Sequence, residues 1–254
     1  MTNVAVLRAS QERLRALVEP LSPEQLAARS FCDEWSIAQV LSHLGSQSEI
    51  FRGYLVAARD GVDGPSTDDN PAVWARWDAL SAAAQRAASL ATNAEELALV
   101  EGLSDEQRAN LRISLFGGVL EVDVAGYAQL RLNEHALHSW DIAVTLDPSA
   151  RLDPAAARLI LDGVGVLVAY LGRPQGRTFA LRLELTEPDD VRALVVGDQV
   201  AIEPWADQPV GGTLRVPAEA FVRLVYGRSR EQDVLDLDAP DLTLADLSAV
   251  FPGI

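Results

Sequence analysis

The sequence contains no lysine, because all 21 basic residues are arginine. This absence excludes reactions that form a Schiff base on a lysine side chain, and it excludes a P-loop, whose lysine binds phosphate groups. The chain has one cysteine, Cys32, so neither an intrachain disulfide nor a cluster of thiolate metal ligands can form. Such sparing use of cysteine is typical of the reducing cytoplasm, and we expect that location here.

The sequence also lacks long apolar runs and an excess of positive charge. No run reaches the roughly 18 apolar residues that a membrane span needs, and polar side chains interrupt the first turns, so we expect neither a membrane span nor a signal peptide. The net charge is −16 at pH 7, and no cluster of cations is present. This charge argues against a nucleic-acid-binding protein, since the phosphate backbone requires clustered cations.

What the sequence does contain, over its first 146 residues, is helical periodicity. Apolar residues recur at helical spacing from Val4 to Val18, and capping boxes at Ser22 and Ser36 mark two further helix starts. Long helices are also predicted over residues 72–91 and 122–146, with short helices and turns over 92–121 between them. Four long amphipathic helices predict a helical bundle, which we assign to residues 1–146.

The pattern changes after the segment DPSARLDP, where Asp153 and Pro154 predict the start of a helix that ends at Gly172. TFALRLELT then alternates with period two, and RALVVGDQVAIEP predicts two strands joined by a turn. GTLRVPAEAFVRLVYGR predicts a strand that leads into a helix. We therefore assign residues 147–254 to a small α+β domain.

The stretch RLNEHALHSW holds two of the three histidines of the chain. On a helix, Glu134 and His138 lie on one face, so both side chains can bind one metal ion. A third ligand must come from another element, and His43 is the only histidine distant in sequence. Catalytic zinc typically has three protein ligands and one open position. The three residues therefore form a candidate metal site.

The spacing alone leaves simpler explanations open. Glu and His four residues apart occur on many helices, and His43 taken alone is also explained as a hydrogen-bonded core histidine. We interpret His135 as a surface or interface residue, Cys32 as a small apolar residue and the tryptophans as core residues. Asp141, one turn after His138, is a candidate acceptor for its imidazole. Arg131 is a candidate partner for Glu134 or for an anionic substrate.

WSIAQVLSHL (35–44) resembles the Trp-Ser/Thr-…-His-Leu motif of DinB-like helical bundles, and RLNEHALHSWD (131–141) resembles the Arg-x-x-Glu-x-x-x-His-x-Trp-Asp element of their last helix. In particular, the chain resembles the mycothiol-dependent maleylpyruvate isomerase family. That resemblance implies an N-terminal all-α DinB-like four-helix bundle followed by a small α+β domain similar to sterol carrier proteins. It extends over nearly the whole chain.

The resemblance implies that His43, Glu134 and His138 are metal ligands, with zinc as the usual ion and mycothiol as the thiol cosubstrate. In the family an arginine of the C-terminal domain reaches the metal site. Here Arg228 is the best match, with Arg223 second as a cofactor-binding residue, and Arg131 is a further catalytic candidate. The segment 92–121 has no clear counterpart, so it can reshape the substrate pocket.

We therefore expect a two-domain enzyme that activates a low-molecular-weight thiol at a divalent metal and transfers it to a small electrophile. Three alternatives stay open: maleylpyruvate cis–trans isomerisation, a metal-dependent hydrolase that uses no thiol, and a non-catalytic module that binds a small ligand. The expected partners are small molecules, with no nucleic acid and no membrane, and the chain is expected to be a monomer or a homodimer.

Overall fold

In the computed structural model the chain divides into two units, Met1–Ala150 and Arg151–Ile254. The structure describes residues 2–32, 34–230, 233 and 235–253, with the backbone alone at positions 166 and 167. The segment DPSARLDP contains the division between the units. None of the described helices is both long and apolar enough to cross a membrane.

The first unit is mostly helical, with a short hairpin near its end. Of its four long helices, α3 packs against α5 and α7, and α1 also packs against α5 and α7. The helices are α1 (Asn3–Val18), α2 (Pro23–Ala27), α3 (Ile37–Asp60), α4 (Asn70–Asp78), α5 (Ala82–Glu101), α6 (Asp105–Asn110) and α7 (Val124–Leu146), and the hairpin strands are β1 (Ile113–Leu115) and β2 (Leu120–Val122).

The predicted starts of α2 and α3 are confirmed, since Ser22 and Ser36 both form complete capping boxes. The single helix predicted over residues 72–91 is wrong, because the chain forms α4 and α5 there. Ser81 begins α5 by accepting a hydrogen bond from the backbone N–H of Ala84, which a helix interior would not allow. The first unit is mostly helical, as expected, but residues 113–122 add an antiparallel hairpin that an all-α domain would not contain.

Two apolar clusters occupy different levels of the helices, and polar residues fill the level between them. On α3 the first cluster includes Ile37 to Leu44 and the second begins at Ile50. Between them α3 carries Gly45, Ser46 and Ser48, all buried. The corresponding level of α7 carries the buried Arg131 and His135. On α7 the candidate ligand Glu134 lies between Arg131 and His135, and on α3 His43 lies just before Gly45.

Gly45 allows α4 to lie close to α3. A Cβ atom at this position would lie 2.3 Å from the Trp77 ring, a distance that real contacts do not show. Trp77 is buried, and its Nε1–H donates to Glu49 of α3 at 2.8 Å. The small residue and the ring together set the position of α4 beside the ligand-bearing helix.

The second unit is a five-stranded sheet in the order β5-β4-β3-β6-β7, in which β3 and β6 are parallel and the other pairs antiparallel. The predicted strands and the helix from Pro154 to Leu171 are confirmed. Leu181, Leu183 and Leu185 alternate into the buried face of β3, as the period of two requires. The elements are α8 (Pro154–Leu171), β3 (Phe179–Thr186), β4 (Asp190–Val196), β5 (Val200–Pro204), β6 (Thr213–Pro217), α9 (Ala218–Val225), β7 (Asp236–Asp238) and α10 (Leu244–Val250).

Candidate metal centre

His43 of α3 and the pair Glu134 and His138 of α7 converge in the first unit. Glu134 Oε2 lies 3.2 Å from His43 Nε2 and 3.7 Å from His138 Nε2. Their ligand atoms all lie within 4.8 Å of one another. Two ligands of a tetrahedral zinc ion, each at about 2.1 Å, are about 3.4 Å apart. The three side chains are thus spaced as the ligands of one small divalent ion require.

The protonation of this group suits ligand binding. Burial by itself raises the pKa of Glu134, but the hydrogen bond to His43 and the nearby charges of His138, His43 and Arg131 lower it to about 2. Burial lowers the pKa of His43, and the hydrogen bond to Glu134 offsets only part of that effect. At neutral pH, Glu134 is therefore a carboxylate and His43 a neutral imidazole, which are the forms that bind metals.

Asp141 orients His138 through the ring nitrogen that faces away from Glu134. Its Oδ2 accepts a hydrogen bond from His138 Nδ1 at 2.8 Å, and the carboxylate is fully buried. This contact directs Nε2 towards Glu134 and His43, the usual carboxylate–histidine arrangement of metal sites. The hydrogen bond that the sequence suggested between Asp141 and His138 is confirmed.

Cys32, interpreted from the sequence as a small apolar residue, is partly buried and also contacts Asp141. Its thiol donates to Asp141 Oδ2 at 3.2 Å. The same segment is joined to α7 by Phe31, whose backbone N–H donates to the carbonyl of Asp141. Trp35 follows, with its ring centroid 5.0 Å from that of His43 and 6.1 Å from that of His138. The segment before α3 thus packs directly on the candidate ligands.

The interpretation of His135 as a surface or interface residue is wrong. The residue is 1% exposed, and its Nδ1 lies 2.9 Å from the hydroxyl of Ser10. Burial, followed by the charges of Arg131, Arg13 and His138, lowers the pKa of His135 to about 3. It is a neutral core histidine, because the helical position next to Glu134 faces α1 rather than solvent.

Arg131 does not pair with Glu134 as suggested. It is 1% exposed and forms an ion pair with Glu96 of α5 at 3.0 Å, with its guanidinium 5.0 Å from the centre of the Phe51 ring. Glu96 also accepts hydrogen bonds from Tyr127 at 2.5 Å and from Ser48 at 2.7 Å. The expectation of short helices and turns from residue 92 onward is wrong around Glu96, because α5 continues to Glu101 and places this carboxylate opposite α7.

Arg223 and Arg228 both belong to the second unit. Arg223 is 1% exposed and pairs with Glu219 at 2.9 Å and with Asp233 at 2.6 Å. Another of its bonds runs to the backbone carbonyl of Arg228. Arg228 is half-buried, and its Nη1 donates to the carbonyl of Tyr226. Within this unit Arg223 therefore anchors the turn that carries Arg228.

The model of the mycothiol maleylpyruvate isomerase N-terminal domain matches residues 7–143, which is more than half of the chain and includes all three candidate ligands. The chain belongs to this family. The resemblance noted in WSIAQVLSHL and RLNEHALHSWD is thereby confirmed at the level of the family.

The fold is similar to that of a crystal structure of the mycothiol-dependent maleylpyruvate isomerase, with a TM-score of 0.67 at 14% identity over 92% of this chain and 91% of that one. The crystal structure of a histidine-to-alanine mutant of that enzyme has a TM-score of 0.65 at 15% identity, again over 92% of this chain and 91% of that one. Two uncharacterised proteins of Mycobacterium tuberculosis, from strains CDC 1551 and H37Rv, are each 29% identical over 172 residues, which is 67% of this chain and 82% of theirs.

Proposed function

We propose that the protein is a mycothiol-dependent, metal-dependent enzyme that transfers the thiol to a small electrophilic substrate. In this proposal the first unit is a DinB-like bundle that holds the metal, and the second is similar to sterol carrier proteins. The observation that carries the proposal is the spacing of His43, Glu134 and His138, whose ligand atoms lie within 4.8 Å of one another. Membership of the family supports the identity of the thiol.

Two imidazole nitrogens and one carboxylate oxygen form a ligand set that zinc accepts, and a three-ligand site leaves one position for an exogenous group. A divalent ion bound there supplies a positive charge that lowers the pKa of a thiol and so favours the nucleophilic thiolate. The side chains of Glu134 and His43 are 33% and 23% exposed, whereas that of His138 is 12% exposed. The open side of the ligand set is therefore the side of Glu134 and His43.

The surrounding residues hold this arrangement in place. Asp141 accepts a hydrogen bond from the Nδ1–H of His138, which keeps the ring from turning. Arg131 lies behind the ligands, and its positive charge helps to keep Glu134 ionised. We assign Arg131 this electrostatic role and propose that Arg228, with Arg223 beneath it, binds an anionic group of the substrate or of the thiol.

The fate of the thiol separates two reactions. When the sulfur adds to an electrophilic carbon and stays there, the product is a conjugate, and the proton lost from the thiol is returned to the substrate. When the sulfur leaves again after rotation about the bond, the product is a cis–trans isomer. The similarity to maleylpyruvate isomerase structures supports isomerisation as the second candidate.

The test is an assay of the purified chain with a panel of electrophiles, maleylpyruvate among them, in four combinations with and without metal and mycothiol. We expect the chain to bind about one equivalent of zinc. We expect turnover only when both the metal and mycothiol are present. Turnover without thiol would support a hydrolase instead, and isomerisation of maleylpyruvate alone would select the second candidate.

Two variants connect that activity to the site. Glu134→Gln is expected to lose most of the bound zinc and the turnover. Glu95→Gln is the matched control, since Glu95 is an exposed glutamate that pairs with Arg52. Full zinc content in the Glu134→Gln variant, or in His138→Ala, would refute the assigned ligands.

A further inference from the structure

A cavity of about 390 Å³ lies beside the candidate metal centre, between α3 and α4. His43 lines it and is also a candidate ligand, so the cavity and the centre share a wall. Its volume falls in the range of about 300–1,000 Å³ that small-molecule sites occupy. Its lining also includes Trp35, Gln39, Gln47, Trp74 and Asp78.

Helical spacing places these groups on two facing surfaces. Gln39, His43 and Gln47 follow one another at intervals of four residues on α3, so they form one stripe. Trp74 and Asp78 have the same spacing on α4 and face that stripe across the cavity. Trp35 closes one end against the His43 ring. The cavity is therefore lined by two indole rings and two amide groups.

The charge of the lining argues against an anionic ligand. The chain has 21 arginines, but none is among the described residues that line this cavity. The one ionisable side chain besides His43 is Asp78, an acid that accepts a hydrogen bond from Ser42 at 3.0 Å. A carboxylate or phosphate group would gain no charged partner here and would be repelled by Asp78.

The amide groups are available for hydrogen bonds to a ligand. Gln39 Oε1 accepts from the backbone of Ser36, but its Nε2 donates to none of the residues that the structure describes. Gln47 makes no side-chain hydrogen bond with any described residue, so both its donor and its acceptor are unused. Trp74 is 44% exposed, so its ring is accessible to a ligand in the cavity that it lines.

Aromatic faces combined with amide and carboxylate groups complement a molecule whose rings have apolar C–H faces and a rim of hydroxyl groups. We propose that this cavity binds the uncharged, polyhydroxylated part of the thiol cosubstrate, so that the thiol reaches the metal centre past His43. In mycothiol this part is an acylated aminosugar joined to inositol. The inference rests on the proposed function, which supplies the identity of the thiol. The interpretation of the tryptophans as core residues is wrong for Trp74, which is exposed, and in this proposal its ring is a platform for the ligand.

The test uses N-acetylglucosaminyl-inositol, which keeps the sugar and the inositol but has no thiol. Isothermal titration of the full chain, with and without zinc, is expected to give saturable binding of similar affinity in both states. Trp74→Ala is expected to weaken that binding by about tenfold, and Gln47→Ala by a smaller factor. Trp205→Ala is the matched control, because Trp205 is a partly exposed tryptophan of the second unit that does not line the cavity.

Three outcomes would overturn the inference: no saturable binding below about 1 mM, unchanged affinity in Trp74→Ala, or displacement of the ligand by maleate. If turnover with mycothiol and metal persists in any of these cases, the proposed function stands and only the sugar site is refuted. Conversely, binding of the sugar without any thiol-dependent turnover would confirm the site and refute the proposed function.

Discussion

Asp141 connects two side chains that are far apart in the sequence. Its Oδ2 accepts a hydrogen bond from His138 Nδ1 at 2.8 Å and another from the Cys32 thiol at 3.2 Å. Being fully buried, the carboxylate cannot exchange these partners for water without opening the packing. The orientation of a candidate ligand therefore depends on a residue that binds no metal itself.

Replacement of Asp141 by asparagine is expected to lower zinc affinity by about 10- to 100-fold. The amide is neutral and accepts from the His138 ring more weakly than the carboxylate does. Competition with a chromogenic chelator measures the effect. Cys32→Ser, which keeps a donor to Asp141, serves as the control and is expected to change affinity much less. Equal affinities of the Asp141→Asn variant and the parent would contradict this role.

His135 makes stability depend on pH. Its pKa is about 3 in the folded chain, against a usual value of 6.5. Between pH 3 and pH 6.5, His135 is protonated in the unfolded chain but neutral in the folded chain. Stability from this residue is therefore complete above pH 6.5, falls as the pH decreases, and stops falling below about pH 3. The slope is about 1.4 kcal/mol per pH unit for one proton.

Urea denaturation of the metal-free chain at several pH values measures this slope. In His135→Asn we expect a lower stability at pH 7 but a shallower decline between pH 6 and about pH 4. The change of slope, rather than the loss of stability, identifies the titrating group. An unchanged slope would assign the acid sensitivity to other residues.

At the scale of elements, the position of α4 depends on Gly45, whose lack of a side chain leaves space for Trp77. Gly45 lies under Trp77, and a Cβ there would lie 3.0 Å from the backbone of Ser89 as well. Because α4 carries Trp74 and Asp78, any shift of this helix changes the wall of the cavity. The packing of α3 against α4 thus determines the shape of a site that neither helix forms alone.

Gly45→Ala is expected to destabilise the protein by about 1–3 kcal/mol through overpacking, and to weaken binding of N-acetylglucosaminyl-inositol while zinc content is retained. Gly165→Ala is the matched control in α8, where a Cβ would meet no described atom within 4 Å. That substitution is expected to be neutral or to stabilise by up to about 1 kcal/mol. Equal changes in the free energy of unfolding for the two substitutions would contradict the close contact between Gly45 and Trp77.

At the scale of the molecule, the two units supply different groups. The candidate ligands all belong to Met1–Ala150, and Arg223 and Arg228 belong to Arg151–Ile254. Arg223 is held by two acidic partners, and Arg228 is attached to the turn that follows α9. Substitution of an arginine of the second unit is therefore expected to change the rate of turnover but not the amount of bound metal.

Arg228→Ala is expected to reduce kcat/KM by at least about tenfold, the loss of one charged contact, while zinc content and stability stay unchanged. Arg215→Ala is the matched control, since Arg215 is an exposed arginine of the same unit that pairs with Glu184. Steady-state kinetics with zinc analysis measure both variants. Equal kinetics in the two variants would remove Arg228 from the proposed site.

The sequence alone was sufficient for local features. Helix starts at Ser22, Ser36 and Asp153, the alternating strand over 179–186 and the division within DPSARLDP are governed by neighbouring residues, and all are present in the structure. Glu134 and His138 could be paired because they are one helical turn apart. Their approach to His43, 91 residues away, was expected only as one of several possibilities.

Only the tertiary structure decided which partners the buried polar groups have. Arg131 pairs with Glu96 rather than Glu134, His135 faces Ser10 rather than solvent, and Cys32 donates to Asp141. The break at Ser81 and the hairpin at 113–122 depend on packing against α3 as well as on local preference. The spacing of residues along a helix determines which of them share a face. It does not determine which distant segment packs against that face. The burial that determines charge and pKa exists only once the helices have packed.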